Sequence, residues 1–336
     1  MFCNKCGNEL NDGAKFCPKC GASFQTTEKT KEKEKKKFHL GRFIVIACIC
    51  ILVGMVVCVV GGRNYATLQF ENGQEVNISG ITYRYNSENA SVYVNGLENG
   101  ELATTVTIPD TIRVEQKEYQ VTAIGGDAFF DCTNLESITL PDGLKSIELQ
   151  AFAGCTSLES ISLPDSVTAI GRAAFAGCTS LESISLPDGV TTIEARAFFD
   201  CTSLESISLP DSVTAIEESA FWNCDSLKSI NLPDSVTAIG ERAFADCNNL
   251  KSINLPDSVT AIGESAFAGC KSLESINLPD GLTSIGSDIF EHCSPSLRII
   301  NSEKYPEVDF GVGGVGNSEY GKKNSEYEDF GDTNYK

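Results

Sequence analysis

Histidine is nearly absent from this chain. Only His39 and His292 occur in 336 residues, which removes most histidine-based acid–base catalysis and most histidine metal sites. Positive charge is also scarce over most of the length. Residues 1–60 hold ten Lys and Arg against five Asp and Glu, a net of +5, and residues 61–336 hold sixteen against forty-one, a net of −25. So acidic a body argues against nucleic acid as a partner, because binding it needs Lys and Arg to neutralise phosphates. A basic head on an acidic body points to two different environments. The sequence contains no nucleophile–base pair, phosphate loop or open metal site, and it reads as non-enzymatic.

Cysteine, by contrast, occurs fifteen times. Four lie in residues 3–20, three in 48–58, and eight recur every 23 residues from Cys132 to Cys293. Each group needs its own reading.

The chain opens with MFCNKCGNELNDGAKFCPKCGASF, two C-x2-C knuckles separated by ten residues. Gly7 and Gly21 follow the second ligand of each knuckle and free its backbone. Four thiolates, Cys3, Cys6, Cys17 and Cys20, suit tetrahedral Zn²⁺ at about 2.3 Å. Zinc binding of roughly 10–16 kcal/mol exceeds what so short a segment gains from a core. Two disulfides or a redox pair are the alternatives. Residues 1–24 resemble the N-terminal zinc ribbons of many bacterial membrane proteins. With few cations, the ribbon reads as structural or as docking a cytoplasmic protein.

Residues 25–42 form a charged linker, and 43–60, FIVIACICILVGMVVCVV, carry no charge. As a helix this run is about 27 Å long, close to a hydrocarbon thickness of roughly 30 Å. It predicts a single transmembrane helix with Cys48, Cys50 and Cys58 as apolar filler. Seven Lys and Arg between Lys29 and Arg42 precede it, and only Arg63 follows closely. The expected orientation is therefore N-terminus cytoplasmic and repeats extracellular. A reducing cytoplasm also suits zinc thiolates. Forty-two residues before the run argue against a cleaved signal peptide.

From Pro141 the chain repeats P-D-[SG]-[VL]-x-x-I-x-x-x-A-F-x-x-C-x-x-L-x-S-I-x-L. Residues 156–170 and 202–216 are identical, a sign of internal duplication. A fixed period of this length means stacked rungs. In each rung, LESISL alternates as a short strand does, Pro-Asp supplies a turn, and AIGRAAFAGC suits a short helical turn. One rung buries too little to offset its ordering entropy, so the array folds as a unit.

This pattern resembles the BspA-type repeats of bacterial surface proteins. The resemblance implies a leucine-rich-repeat solenoid over 106–300, with short parallel strands plus helical turns and a β-rich juxtamembrane cap over 61–105. Residues 80–96 and 111–125 read as strands of that cap. HCSPSLRII reads as a capping rung with Ile299 in place of the usual Ser. Residues 301–336, Gly-rich and acidic, read as a disordered tail. The resemblance further implies binding of a protein or host-surface ligand, in an adhesion-like role. The alternatives are a signalling or assembly component and an envelope structural protein.

Stacked strands place equivalent residues about 4.8 Å apart, so three polar columns should line the strand face. The first contains Ser160, Ser183, Ser206, Ser229 and Ser252; the second, Ser162, Ser185, Ser208, Asn231 and Asn254; the third, Glu159, Glu182, Glu205, Lys228 and Lys251. They are either a solvated ladder or a ligand-binding face. The Asp column after each proline reads as turn chemistry, with calcium as the alternative. Phe130, Phe199 and Trp222 share one column, as an aromatic patch or as local packing. The periodic cysteines read as buried free thiols, with disulfides between rungs as the rival.

Overall fold

The computed structural model describes residues 57–60, 63–66, 73–98, 103–114 and 116–312. The chain divides into two compact units, residues 1–69 and 70–336.

In the first unit, β1 (Val57–Val60) and β2 (Arg63–Ala66) form an antiparallel hairpin that pairs Val57 with Ala66 and Val60 with Arg63. A helix over the whole of 43–60 is therefore not supported. Its last four positions are strand, and 43–56 lie outside the described residues. The residue types account for this, because valine favours extended backbone. Among the described residues no helix is long and apolar enough to cross a membrane. The zinc ribbon and the linker also lie outside them.

The second unit begins with an antiparallel meander, β3 (Glu75–Ile78), β4 (Ile81–Asn86) and β5 (Ser91–Leu97). The β3–β4 turn puts Ser79 and Gly80 both at positive φ, 56° and 85°, the geometry that matches strand twist in a tight hairpin. β6 (Thr105–Thr107) follows. β7 (Thr111–Val114) and β8 (Lys117–Ile124) then form a second hairpin. β8 lies parallel to β5 on one side and to β10 (Ser146–Ile147) on the other. The cap thus grows directly into the repeat array, and its sheet covers the first rung's exposed end.

Each rung contributes to two parallel ladders. One carries the Ser-Ile-Ser strands: β9 (Ser137–Thr139), β12 (Ser183–Ser185), β14 (Ser206–Ser208), β16 (Ser229–Asn231), β18 (Ser252–Asn254) and β20 (Ser275–Asn277). In every one the central Ile is buried and its neighbours are exposed, the period-two pattern of a half-buried strand. The other ladder carries two-residue strands ending in Ile, such as β11 (Ala169–Ile170) and β13 (Thr192–Ile193). Between the ladders runs the core. Leu158, Ile161, Val167, Ile170, Phe175 and Cys178 are buried in one rung, with equivalents in the next. The phenylalanines stack, with centroids 5.1 Å apart for Phe129–Phe152 and 5.5 Å for Phe244–Phe267, and planes within 7° along that stretch.

The expected helical turn is not helical. Gln150, Phe152 and Gly154 donate their amides to Arg172, Ala174 and Ala176 of the next rung. The intervening Ala151, Ala153 and Cys155 donate to Glu148, Gln150 and Phe152. Alternate amides therefore leave the rung, and no i→i−4 series forms. Two left-handed residues per rung enforce this, Gln150 at φ 52° and Gly154 at φ 75° in this case. A helix cannot contain them.

At the far end, β22 (Arg298–Ile300) pairs Arg298 with Ser275 and Ile299 with Ile276. Arg298, not Ile299, occupies the Ser column. The extra residue in HCSPSL is absorbed before the strand, and Ile299, half-buried against the core, keeps the register of the Ile column. The chain then stays packed beyond 301. Phe290 donates its amide to the Phe310 carbonyl at 3.0 Å, and the two rings lie 6.2 Å apart. The part of the expected disordered tail up to residue 312 is thus a C-terminal cap. Residues 313–336 lie outside the described residues.

Candidate binding face

The strand ladder presents the polar columns outward. Ser183, Ile184 and Ser185 pair in register with Ser206, Ile207 and Ser208. Ser229, Ile230 and Asn231 pair likewise with Ser252, Ile253 and Asn254. Ser160 and Ser162 are exposed as well, and Glu159, Glu182, Glu205, Lys228 and Lys251, each one position before the first Ser, are also exposed. The structure thus brings the Ser and Asn columns into register, with the Glu and Lys column exposed at the start of the same strands.

That surface is not one continuous sheet. β9 pairs back to β6, and Ser160 makes only an isolated bridge to Ser183. Among the described residues no sheet pairing joins β14 to β16. This second break falls where Ser208 gives way to Asn231 and Glu205 to Lys228. There the Lys228 ammonium reaches the Glu205 carboxylate at 2.8 Å, with both side chains mostly exposed. An exposed pair of this kind contributes at most about 1 kcal/mol. It does make Lys228 half of an ion pair rather than a bare cation in an acidic row.

Where pairing thins around residue 160, a cleft of about 710 Å³ opens. Ser160, Ser162, Ser183 and Ser185 line it, together with Asp165 and Asp188. Sequence reasoning treated those two aspartates as turn residues. Their position one residue after proline, at the strand's end, was the signal that they flank the same surface. The lining offers hydroxyl donors and acceptors bordered by carboxylates, which suits polar ligands rather than a metal. Among the described residues no three His, Cys, Asp or Glu side chains are grouped to hold an ion.

The periodic cysteines, Cys132 to Cys293, are all free and buried. From Cys155 on, each thiol donates to the carbonyl of the phenylalanine 26 residues earlier, at 3.1–3.2 Å. That carbonyl also accepts an amide within its own rung, as Phe152 does from Cys155, so the thiol fills its second lone pair. Burial pushes these thiols well above their ordinary pKa, Cys293 to about 12. They belong to the scaffold and not to a reactive site.

Phe199 and Trp222 meet edge to face at 5.5 Å. The Trp222 indole N–H donates to Asp246 at 3.0 Å, and Arg242 lies 6.0 Å over the ring. Phe130, three rungs from Phe199, does not join them. This column is local packing around two rings.

Residues 103–228 and 191–307 match the BspA type leucine rich repeat region, in six copies, and residues 2–24 match a zinc-ribbon domain. Among solved structures, the chain is similar to a leucine-rich repeat protein from Bacteroides ovatus, with 30% identity, a TM-score of 0.48, and 68% of this chain and 77% of that one covered. It is similar to a leucine rich cell surface protein from Faecalibacterium prausnitzii, at 27% identity and TM-score 0.49, covering 68% and 76%. The T. pallidum leucine rich repeat protein follows at 26% and 0.47, covering 71% and 100%. No curated protein matches.

Proposed function

This chain belongs to the BspA-type leucine-rich-repeat family, and on that premise we propose that it is a non-enzymatic, membrane-anchored surface protein. Its repeat domain binds a protein or surface ligand through the strand face. One observation carries this reading: a polar cleft lined by Ser160, Ser162, Ser183 and Ser185 opens on the exposed strand face, where Ser160 makes only an isolated bridge. A ligand there meets hydroxyls and carboxylates at a fixed spacing, and specificity comes from the residues that differ between rungs, Lys228 and Lys251 foremost.

Photo-crosslinkers placed at Ser160 and Ser183 test the face on living cells. The expected result is adducts with surface proteins from both positions and none from Thr214 on the other ladder. A Lys228→Glu, Lys251→Glu double variant should bind cells several-fold more weakly. Unchanged binding would remove the strand face from the account.

Anchoring rests on the uncharged apolar residues 43–56, which precede the β1 strand, and on the excess of Lys and Arg before them. Protease added to intact cells should digest the repeats and spare the ribbon. The ribbon, with Cys3, Cys6, Cys17 and Cys20 as a tetrathiolate set, would hold one Zn²⁺ on the cytoplasmic side. Its presence favours a second reading, in which it docks a cytoplasmic partner and the protein signals or assembles. Deleting residues 1–24 separates the two, because adhesion survives the deletion and signalling does not.

A further inference from the structure

A second cleft, of about 740 Å³, lies at the junction of the N-terminal cap and the first full rung. It shares no lining residue with the strand-face cleft. Its lining is where this internally duplicated array departs from its own repeat.

The column that contains Lys145 is otherwise threonine, at 122, 168, 191, 214, 237, 260 and 283. Thr214, Thr237, Thr260 and Thr283 donate their hydroxyls to the carbonyl of the preceding member. Lys145 breaks this ladder, and its ammonium makes no ion pair or side-chain hydrogen bond among the described residues. The column that contains Leu149 reads Gly126, Leu149, Arg172, Ala195, Glu218, Glu241, Glu264 and Ser287. Its one large apolar member is 47% exposed, beside the one member with no side chain. Lysine, leucine and the glycine gap all border the same cleft.

The cap supplies the opposite wall. The buried Ser91 hydroxyl meets Thr122 at 2.8 Å and bonds the Asn89 carboxamide. The Tyr93 ring lies against Gly125, where a Cβ would come within 2.8 Å of Cδ2, so glycine is what lets the ring form that wall. On the floor Ser146 donates to Glu148 at 2.6 Å.

Every strand bordering this cleft, β4, β5, β8 and β10, is paired on both sides. No edge is left for an extended peptide to add to. What remains is amides and hydroxyls, one ring, one exposed aliphatic side chain, one unpaired ammonium, and the Glu148 carboxylate, which accepts from Ser146 on the floor. We infer that the cleft between Tyr93, Lys145 and Leu149 binds a short oligosaccharide carrying a carboxylate. Lys145 takes the acid group, the amides and hydroxyls take the sugar hydroxyls, and Tyr93 and Leu149 cover an apolar ring face.

The test titrates the full chain in detergent micelles with 3′-sialyllactose and with trigalacturonate, read by calorimetry and saturation-transfer NMR. Neutral lactose and hexaglutamate are the comparisons. At least one acidic sugar should bind, with lactose weaker by about tenfold or more for loss of the charge-assisted contact, and hexaglutamate weaker by about as much for loss of the sugar hydroxyls and ring face. Lys145→Thr and Leu149→Arg each install a residue that another rung already carries, so the fold tolerates them. Both should weaken the acidic sugar about tenfold, while Lys271→Glu, at an exposed position outside both clefts, leaves it unchanged. Binding of neither acidic sugar, equal binding of lactose or hexaglutamate, or full retention by both cleft variants would overturn the inference. The strand-face reading would stand in each case.

Discussion

The Cys155 thiol lies 3.1 Å from the Phe129 carbonyl oxygen in the preceding rung and donates to it. The same relation recurs down the array, which makes the cysteine column a line of buried hydrogen-bond donors. Replacing one interior member, Cys201→Ala, removes the donor to Phe175 and a buried sulfur. The expected loss is about 1–3 kcal/mol, from one hydrogen bond and one small apolar group, measured by urea denaturation.

These thiols also set an alkaline limit. Their pKa is raised in the folded state by burial, while an unfolded thiol titrates near about 8.5. Unfolding then releases protons above that pH. Stability is undiminished below about 8.5 and falls as pH rises from there toward the folded values, by up to about 1.4 kcal/mol per pH unit for each thiol. Melting temperature should drop between pH 8.5 and 10.5, and less steeply in a variant with three of the column cysteines changed to alanine. An equal slope in both proteins would exclude the thiols as the cause.

Alkylation provides a separate check on their redox state. Native protein at pH 8 should leave the eight column thiols unmodified, and denatured, unreduced protein should expose all eight, as counted by mass. Disulfides between rungs would show as missing sites.

Phe221 lies between Phe198 and Phe244, with centroids 5.4 and 5.2 Å away. Phe221→Ala should cost about 3–5 kcal/mol, because rigid rungs on either side cannot close over the cavity. Phe310→Ala, at the end of the stack, should cost less and act locally. Faster hydrogen exchange at the Phe290 amide, whose acceptor is Phe310, is the readout.

Much of the array was legible in its spacing. The Phe, Cys and Ile columns are core positions because any residue on a 23-residue period must meet its copy. The turn segment was misread as helical for a definable reason: alanine-rich AIGRAAFAGC has helical propensity. Yet the residue before each cysteine is Asp, Gly, Asn or His, types that tolerate the left-handed conformation. That signal was present and outweighed. The C-terminal cap was hidden by composition, since Phe310 among glycines and acids shows its role only in the fold, where its ring lies 6.2 Å from that of the buried Phe290.

The candidate sites divide in the same way. Ser160 to Asn254 could be placed on one face from the strand period alone, since side chains alternate across a strand. The cleft at Lys145 could not, because its walls come from residues 86–93 and 120–149, brought together by the parallel pairing of β5, β8 and β10.

The sequence by itself determined the rung, its core columns and its exposed columns, because periodic apolar residues can be buried only by stacking on their own copies. Only the tertiary structure decided where the ladder breaks, how the two ends are capped and which departures from the repeat face one another. Those depend on backbone pairings between segments distant in the chain, and no local pattern encodes them.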